Sequence, residues 1–285
     1  MKPQPINAVP LRRRLLGAYL RDAGKLSDED IVRVCACQEA RRLRFGEAAV
    51  ALKLATPADV RAALATQFDY PSGAEGLAAE LVLAADPFGA QAEAFRELRS
   101  RLLLEALPES APLALAVLSA HAGEGRTYVA ANLAVAFSQL GARTLLIDAD
   151  LRGARLDRLL GAESGTGLSH VLAGFADAAD AVQRVDAIGN LWFMPAGALP
   201  PNPAELLQRP SFEALLDVLK QKFDHVVLDT SAASRGPDCR VVAARCTASV
   251  LVARRNASRF DDLDRLVGAL ERGPARIAGV VMNER

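Results

Sequence analysis

Neither sign of charge is in excess in this chain of 285 residues: Lys plus Arg (34) balance Asp plus Glu (34). No bulk basicity therefore points to nucleic acid or to an anionic membrane surface. Histidines (3) and cysteines (4) are scarce. Cys35, Cys37, Cys239 and Cys246 form no CxxC pair and have no histidine cluster near them, which argues against a zinc site. The apolar runs are strand-length, too short to cross a bilayer. The opening "MKPQPINAVPLRRRLL" has prolines and no apolar core of a secretory signal. A reduced, cytoplasmic setting is the expectation. Tyrosine is limited to Tyr19, Tyr70 and Tyr128, and the chain stops at "VVMNER" with no cluster of tyrosines behind it.

The first seventy residues contain an internal repeat. "LGAYLRDAGKLSDEDIVRVCACQ" aligns with "FGEAAVALKLATPADVRAALATQ", matching Gly17 to Gly46, Ser27 to Thr56, Asp30 to Asp59, Ile31 to Val60 and Gln38 to Gln67 at one constant offset. Ser27 and Thr56 read as N-caps followed by acidic or proline first turns. Residues 12–68 thus predict a small all-helical module of two similar halves. A loose stretch follows "QFDYPSGAEG". Then "PFGAQAEAFRELRSRLLLEAL" predicts a helix with Phe95, Leu98, Leu102 and Leu103 on one face and Glu93, Arg96 and Arg99 on another. For an isolated helix, those three charges read as a solvated ladder.

From Pro112 strands and helices alternate. "LALAVLS", "RTLLIDAD", "LWFMPAG", "HVVLDTS", "SVLVARR" and "RIAGVVMN" read as buried strands. The fold class this predicts is α/β, a mostly parallel sheet with helices on both faces, with its site beyond the carboxyl ends of the strands. The expected domains are 1–70 (helical module), 71–90 (linker) and 91–285 (nucleotide-binding domain with its leading helix).

Ala120-His-Ala-Gly-Glu-Gly-Arg-Thr127 occupies the register of GxxxxGK[ST], with Ala120 for the first glycine and Arg126 for the lysine. A strand enters and a helix leaves, the setting such a phosphate loop requires. Gly123 and Gly125 let successive backbone N–H groups converge on an anion at a helix N-terminus. Thr127 would offer a hydroxyl to Mg²⁺. Asp148 and Asp150 stand together at one strand tip and Asp229 at another, where a metal-bound triphosphate needs carboxylates.

Together these segments resemble the bacterial tyrosine kinases, P-loop autokinases of capsule and exopolysaccharide assembly. "LLIDADLR" is similar to their second Walker box and "VVLDTS" to their Walker B. "GLSHVLAG", "PPNPAELL" and the ExxRxxR element "EAFRELR" are similar too. The repeat with "FGEAA" and "QFDYP" resembles the EpsG-type chain-length-determinant branch, and also the N-domains of type II secretion ATPases, some of which bind cyclic di-GMP. The resemblance implies a P-loop NTPase-type fold, ATP and Mg²⁺, and phosphoryl transfer to tyrosine that regulates polymer length and export. Gly123, Glu124, Gly125, Arg126 and Thr127 would hold phosphates. Thr127, Asp148 and Asp229 would surround the metal, Asp150 would lie near the reacting oxygens and Asn283 would face adenine. The catalytic set is then Arg126, Asp148, Asp150 and Asp229, and Glu93, Arg96 and Arg99 would lie at a contact between subunits of a homo-oligomer. A membrane chain-length regulator would be the docking partner, bringing the protein to the inner membrane; a cyclic dinucleotide at the helical module is a further implied ligand.

Three departures matter. Walker B usually ends in proline, whereas here it runs Asp229-Thr-Ser-Ala. A tyrosine tail is missing, so autophosphorylation on a tail is not expected. Arg126 keeps the charge but replaces a point-like ammonium by a planar fork, so nucleotide binding is expected to outlast catalysis. A degenerate kinase acting as an ATP-dependent oligomeric switch stays open beside the active kinase. A partitioning ATPase of the ParA/MinD kind fits less well, because His121 stands where those proteins carry a second lysine.

Overall fold

The structure is a computed structural model, and it describes residues 14–68, 70, 76–106 and 113–284. The expected start of the helical module before residue 14, the first residues of the expected linker (71–75) and Pro112 lie outside the described residues. Two compact units emerge, Met1–Ser72 and Gly73–Arg285.

The first unit contains α1 (Leu16–Asp22), α2 (Asp28–Arg41), α3 (Phe45–Ala51) and α4 (Pro57–Gln67). Both predicted caps form. The Ser27 and Thr56 hydroxyls accept from the Asp30 and Asp59 amides, and the aspartates accept from the cap amides in return. The repeated glycine has a packing cause. A Cβ at Gly46 would lie 2.6 Å from Val60 Cγ1, and one at Gly17 would lie 3.0 Å from Phe45 Cζ, so each copy needs a residue without a side chain where its helices meet. Leu20, Val34, Ala48 and Ala49 are the fully buried centre.

In the second unit α5 (Val82–Ala85) and α6 (Ala90–Arg101), the latter running into a π turn at Leu102–Ala106, precede β1 (Leu113–Ser119) and α7 (Arg126–Ser138). Next come β2 (Thr144–Ala149), α8 (Leu156–Leu160), α9 (Leu168–Ala173), α10 (Ala178–Ala181), β3 (Gln183–Arg184) and β4 (Leu191–Met194). The chain continues through α11 (Pro203–Gln208), α12 (Pro210–Lys222), β5 (His225–Thr230) and α13 (Asp238–Ala243). It closes with β6 (Ala248–Arg254), α14 (Phe260–Glu271) and β7 (Ile277–Asn283). The sheet order is β3-β4-β2-β5-β1-β6-β7, parallel except for the short β3 at one edge, which sequence reasoning did not separate from its surroundings.

Alternation along β1 builds both faces. Leu113, Leu115 and Val117 enter the core under α5, α6 and α7, while Ala114, Ala116 and Leu118 enter the core under α9, α11 and α12. Each fully buried leucine contributes on the order of 1.5–3 kcal/mol of apolar burial. The stretch expected as a linker is, from residue 76 on, part of this unit. Leu81 and Leu83 are fully buried, the Ala78 amide donates to the Leu159 carbonyl and Asn132 donates to the Glu80 carbonyl. Its glycines and prolines read as loose, but its apolar residues have a core to enter.

Candidate nucleotide site

The carboxyl ends of β1, β2 and β5, the three central strands, meet at one place. Beyond β1 the chain turns through Gly123 (φ +83°) and Gly125 (φ +96°) into α7. Gly125 is required twice over: its φ is left-handed, and a Cβ there would sit 2.0 Å from Asn283 Nδ2. Asn283, at the end of β7, donates that amide to the Glu124 carbonyl at 3.0 Å. The residue expected at adenine therefore also braces the phosphate loop. The Glu124 side chain is buried inside the loop, accepting from the His121 amide at 2.8 Å and from the Ser258 hydroxyl, while Arg254 donates to the Gly123 carbonyl. A loop held on several sides is preorganised to present its amides to phosphate.

Asp148 and Asp229 are register partners on adjacent parallel strands, each 1 % exposed. Burial first, and for Asp148 the charge of Asp229 next, push both carboxyls well above the ordinary carboxylate range. Asp148 accepts from the amides of Asp150, Arg155 and Leu156, which folds the loop after β2 around it. Among the described residues Asp229 Oδ1 is buried without a hydrogen-bond partner. Asp150 stands just past the strand, its Oδ1 accepting from the Arg152 amide at 3.1 Å.

Arg126 does not extend toward solvent. Nη1 donates to Ser119 Oγ at 2.6 Å, Nη2 to Asp150 Oδ2 at 3.3 Å, and Nε makes an ion pair with Asp229 Oδ1 at 3.4 Å that lacks hydrogen-bond alignment. The guanidinium is thus the cation of an acidic site, itself 7 % exposed.

Can these residues take a divalent cation? Among the described residues no group of three or more His, Cys, Asp or Glu side chains could hold a metal ion alone. Mg²⁺ commonly binds through one or two carboxylates plus waters and phosphate oxygens. Asp148, Asp229 with an oxygen that accepts no hydrogen bond, and the Thr127 hydroxyl at the start of α7 are hard oxygen donors of that kind. They fit the ion.

The remaining expected residues lie elsewhere. On α6, Arg96 donates to the Pro87 carbonyl at 2.5 Å as well as to Glu93, and Arg99 donates to the Ala136 carbonyl at 2.9 Å. The Glu93–Arg96 pair of the expected ladder forms, with the Glu93 side chain 74 % exposed, but both arginines also bind backbone of their own unit, Arg99 because α6 lies against α7. His121 is joined to Asp262 at 2.9 Å. Tyr128 packs edge-on against Phe95, ring centroids 5.4 Å apart. No helix among the described residues is long and apolar enough to cross a membrane.

Sequence reasoning missed Arg152, whose guanidinium is paired with the buried Asp238 (Nε–Oδ2 2.5 Å, Nη2–Oδ1 3.0 Å). The arginine was visible in "DADLR", but its partner lies far along the chain.

Comparison with known proteins agrees with this fold. The family profile described as "ParA: NUBPL iron-transfer P-loop NTPase" matches residues 112–197. The tyrosine-protein kinase CpsD of Streptococcus agalactiae is 31% identical over 172 residues, covering 60% of this chain and 74% of that protein. Tyrosine-protein kinase wzc of Salmonella typhi is 30% identical over 72% of this chain and 28% of its own length. The kinase domain of the Escherichia coli tyrosine kinase ETK superposes with a TM-score of 0.68 at 30% identity, covering 71% of this chain and 79% of that one. The septum site-determining protein MinD of Pyrococcus horikoshii, solved with Mg-ADP, gives 0.53 at 26% identity over 60% of this chain and 70% of that one. The chain belongs to the bacterial tyrosine-protein kinase family, with a P-loop NTPase fold.

Proposed function

We propose that this protein binds Mg-ATP at the carboxyl ends of β1, β2 and β5 and transfers the γ-phosphoryl group to a tyrosine hydroxyl. The reading places it in the control of exopolysaccharide polymerisation, chain length and export. The observation that carries it is the buried Asp148–Asp229 pair beside a braced phosphate loop, with Asp229 Oδ1 accepting no hydrogen bond where a cation is needed.

In this reading the amides of residues 123–127 cradle the phosphates, while Thr127, Asp148 and Asp229 hold Mg²⁺. The ion, when bound, neutralises charge on the phosphate oxygens. Asp150 accepts the tyrosine proton as the Oη–P bond forms and the bond to ADP breaks. Arg126 exchanges Asp150 and Asp229 for phosphate oxygens, and Asn283 is positioned to border the adenine as well as the loop. The acceptor tyrosine is sought in trans. Glu93, Arg96 and Arg99 form a subunit contact of a homo-oligomer, in which the two arginines leave the Pro87 and Ala136 carbonyls. A cytoplasmic protein docked on a membrane chain-length regulator follows from the same family logic. The helical unit serves as a docking module, with a cyclic dinucleotide as a further ligand to test.

One observation favours a second reading, a degenerate kinase working as an ATP-gated oligomeric switch. Arg126 already neutralises the carboxylates that Mg²⁺ and the reaction would use. The decisive experiment is Mg-ATP binding and phosphotyrosine formation by wild type, Arg126→Lys and Asp229→Ala, with the cytoplasmic segment of a chain-length regulator added. Phosphotyrosine in wild type that Asp229→Ala abolishes supports the kinase. Tight binding without turnover, rescued by Arg126→Lys, supports the switch. Absence of binding refutes both.

A further inference from the structure

Arg152 makes contacts in two directions. Its backbone amide donates to Asp150 Oδ1 at 3.1 Å, and its side chain grips Asp238 with two donors, at 2.5 and 3.0 Å. Asp238 opens α13, is 1 % exposed and accepts a third hydrogen bond, from Ser231 Oγ at 3.3 Å. Ser231 lies two residues past Asp229, in the segment that leads to α13. The chain from Asp150 to Arg152 follows β2, the chain from Ser231 to Asp238 follows β5, and the two strands are neighbours. One ion pair therefore joins the loop that carries Asp150 to the loop that follows Asp229.

We propose that Arg152 is a positioning residue that, through Asp238 and Ser231, holds Asp150 against Asp229 in the arrangement Mg-ATP requires. This rests on the nucleotide reading above. A surface ion pair would carry no such role, being weak and mobile. This one is bidentate and ends on a buried carboxylate, so it fixes distance and orientation together. Lysine at 152 keeps the charge and loses the fork. The turn from Asp150 to Arg152 then loosens, and the carboxylates no longer close on the metal side of the nucleotide. The phosphate loop is braced from the other side by Arg254, Ser258 and Asn283, and among the described residues it hydrogen-bonds the paired loops only through Arg126 on Asp150 and the Ser234 amide on the Ala120 carbonyl.

That separation gives the test. ATP is titrated into the full chain by calorimetry, once with excess Mg²⁺ and once with EDTA, for wild type, Arg152→Lys and Asp238→Asn, beside thermal unfolding of each. Affinity in EDTA should match wild type, although weakening a pair that ends on a buried carboxylate lowers the unfolding temperature. The gain in affinity conferred by Mg²⁺ should shrink about 10- to 100-fold, the usual cost of losing a group that orients metal ligands. Phosphotyrosine formation, where wild type shows it, should have a KM for Mg-ATP raised in step with the lost Mg²⁺ gain, and a lower kcat. Should Arg152→Lys fail to fold, Asp238→Asn decides alone. Two results overturn the proposal: an undiminished Mg²⁺ gain, or an equal loss of affinity with and without Mg²⁺. Wild type that binds no nucleotide in either buffer instead removes the reading beneath it, and the proposal with it.

Discussion

Asp148 and Asp229 face each other across two adjacent parallel strands, and Arg126 reaches Asp229 but not Asp148. The pair is therefore only half neutralised by protein. Both carboxyls are held above their ordinary range by burial and by neighbouring negative charge. The sign follows. A carboxyl raised on folding contributes stability below its unfolded value, and that contribution is lost as pH rises through the raised folded value. Nucleotide-free protein should accordingly lose stability as pH climbs from about 4, the ordinary carboxylate value, toward neutrality. Asp229→Asn should remove part of that slope and unfold at a higher temperature than wild type near neutral pH. Thermal unfolding across that window without nucleotide checks it; a slope identical in the variant contradicts it.

Arg126 is expected to be structural as well as functional. Arg126→Met leaves Asp150 and Asp229 without their cation, and breaking one side of a buried ion pair costs about 3–5 kcal/mol. Denaturant unfolding should show that loss. Arg126→Lys should retain most of the stability, bind Mg-ATP within an order of magnitude of wild type, and transfer phosphate faster. A lysine variant that binds as well and turns over no faster would mean that the arginine fork is already suited to the reaction.

Gly125→Ala joins a left-handed φ to a collision with Asn283. Its cost should be about 1–3 kcal/mol, the range for a residue held in a disfavoured backbone region, with loss of nucleotide binding. The double variant with Asn283→Ala removes the collision but keeps the backbone strain, and should recover stability only in part. Calorimetric titration with ATP separates the two effects.

In the helical unit, Thr56→Ala should cost about 1 kcal/mol, as loss of an N-cap usually does, and Ser27→Ala a similar amount. Asp59, which closes the second capping box, has its carboxyl held down to about 2, chiefly by the Thr56 hydroxyl. Its contribution is present above the unfolded value and lost as pH falls through about 2. Amide exchange in α4 should therefore accelerate in acid in wild type, and less so in Thr56→Ala.

Local rules carried much of this from the sequence, and their reach marks where reading stopped. Ser27, Thr56 and their aspartates announce caps because a cap is decided within four residues. Phosphate loop, strand tips and aspartates were legible for the same reason. Arg126 was visible as an oddity, but its inward turn depends on Ser119, Asp150 and Asp229, which only the fold assembles. Arg152 and Asp238 are 86 positions apart, and no periodicity links them. The segment around Leu81 and Leu83 looked like a connection because Gly and Pro flank it, whereas burial of its leucines is a tertiary fact. The arginines of α6 looked solvated because helical spacing names a face but not what covers it.

Mg-ATP titrated into the full chain, wild type beside Asp229→Asn, tests the central claim most directly. The account predicts saturable, Mg²⁺-dependent binding to wild type and loss of the Mg²⁺ dependence in the variant, whose affinity in EDTA stays the same. Equal binding by both proteins, or none by wild type, would contradict it.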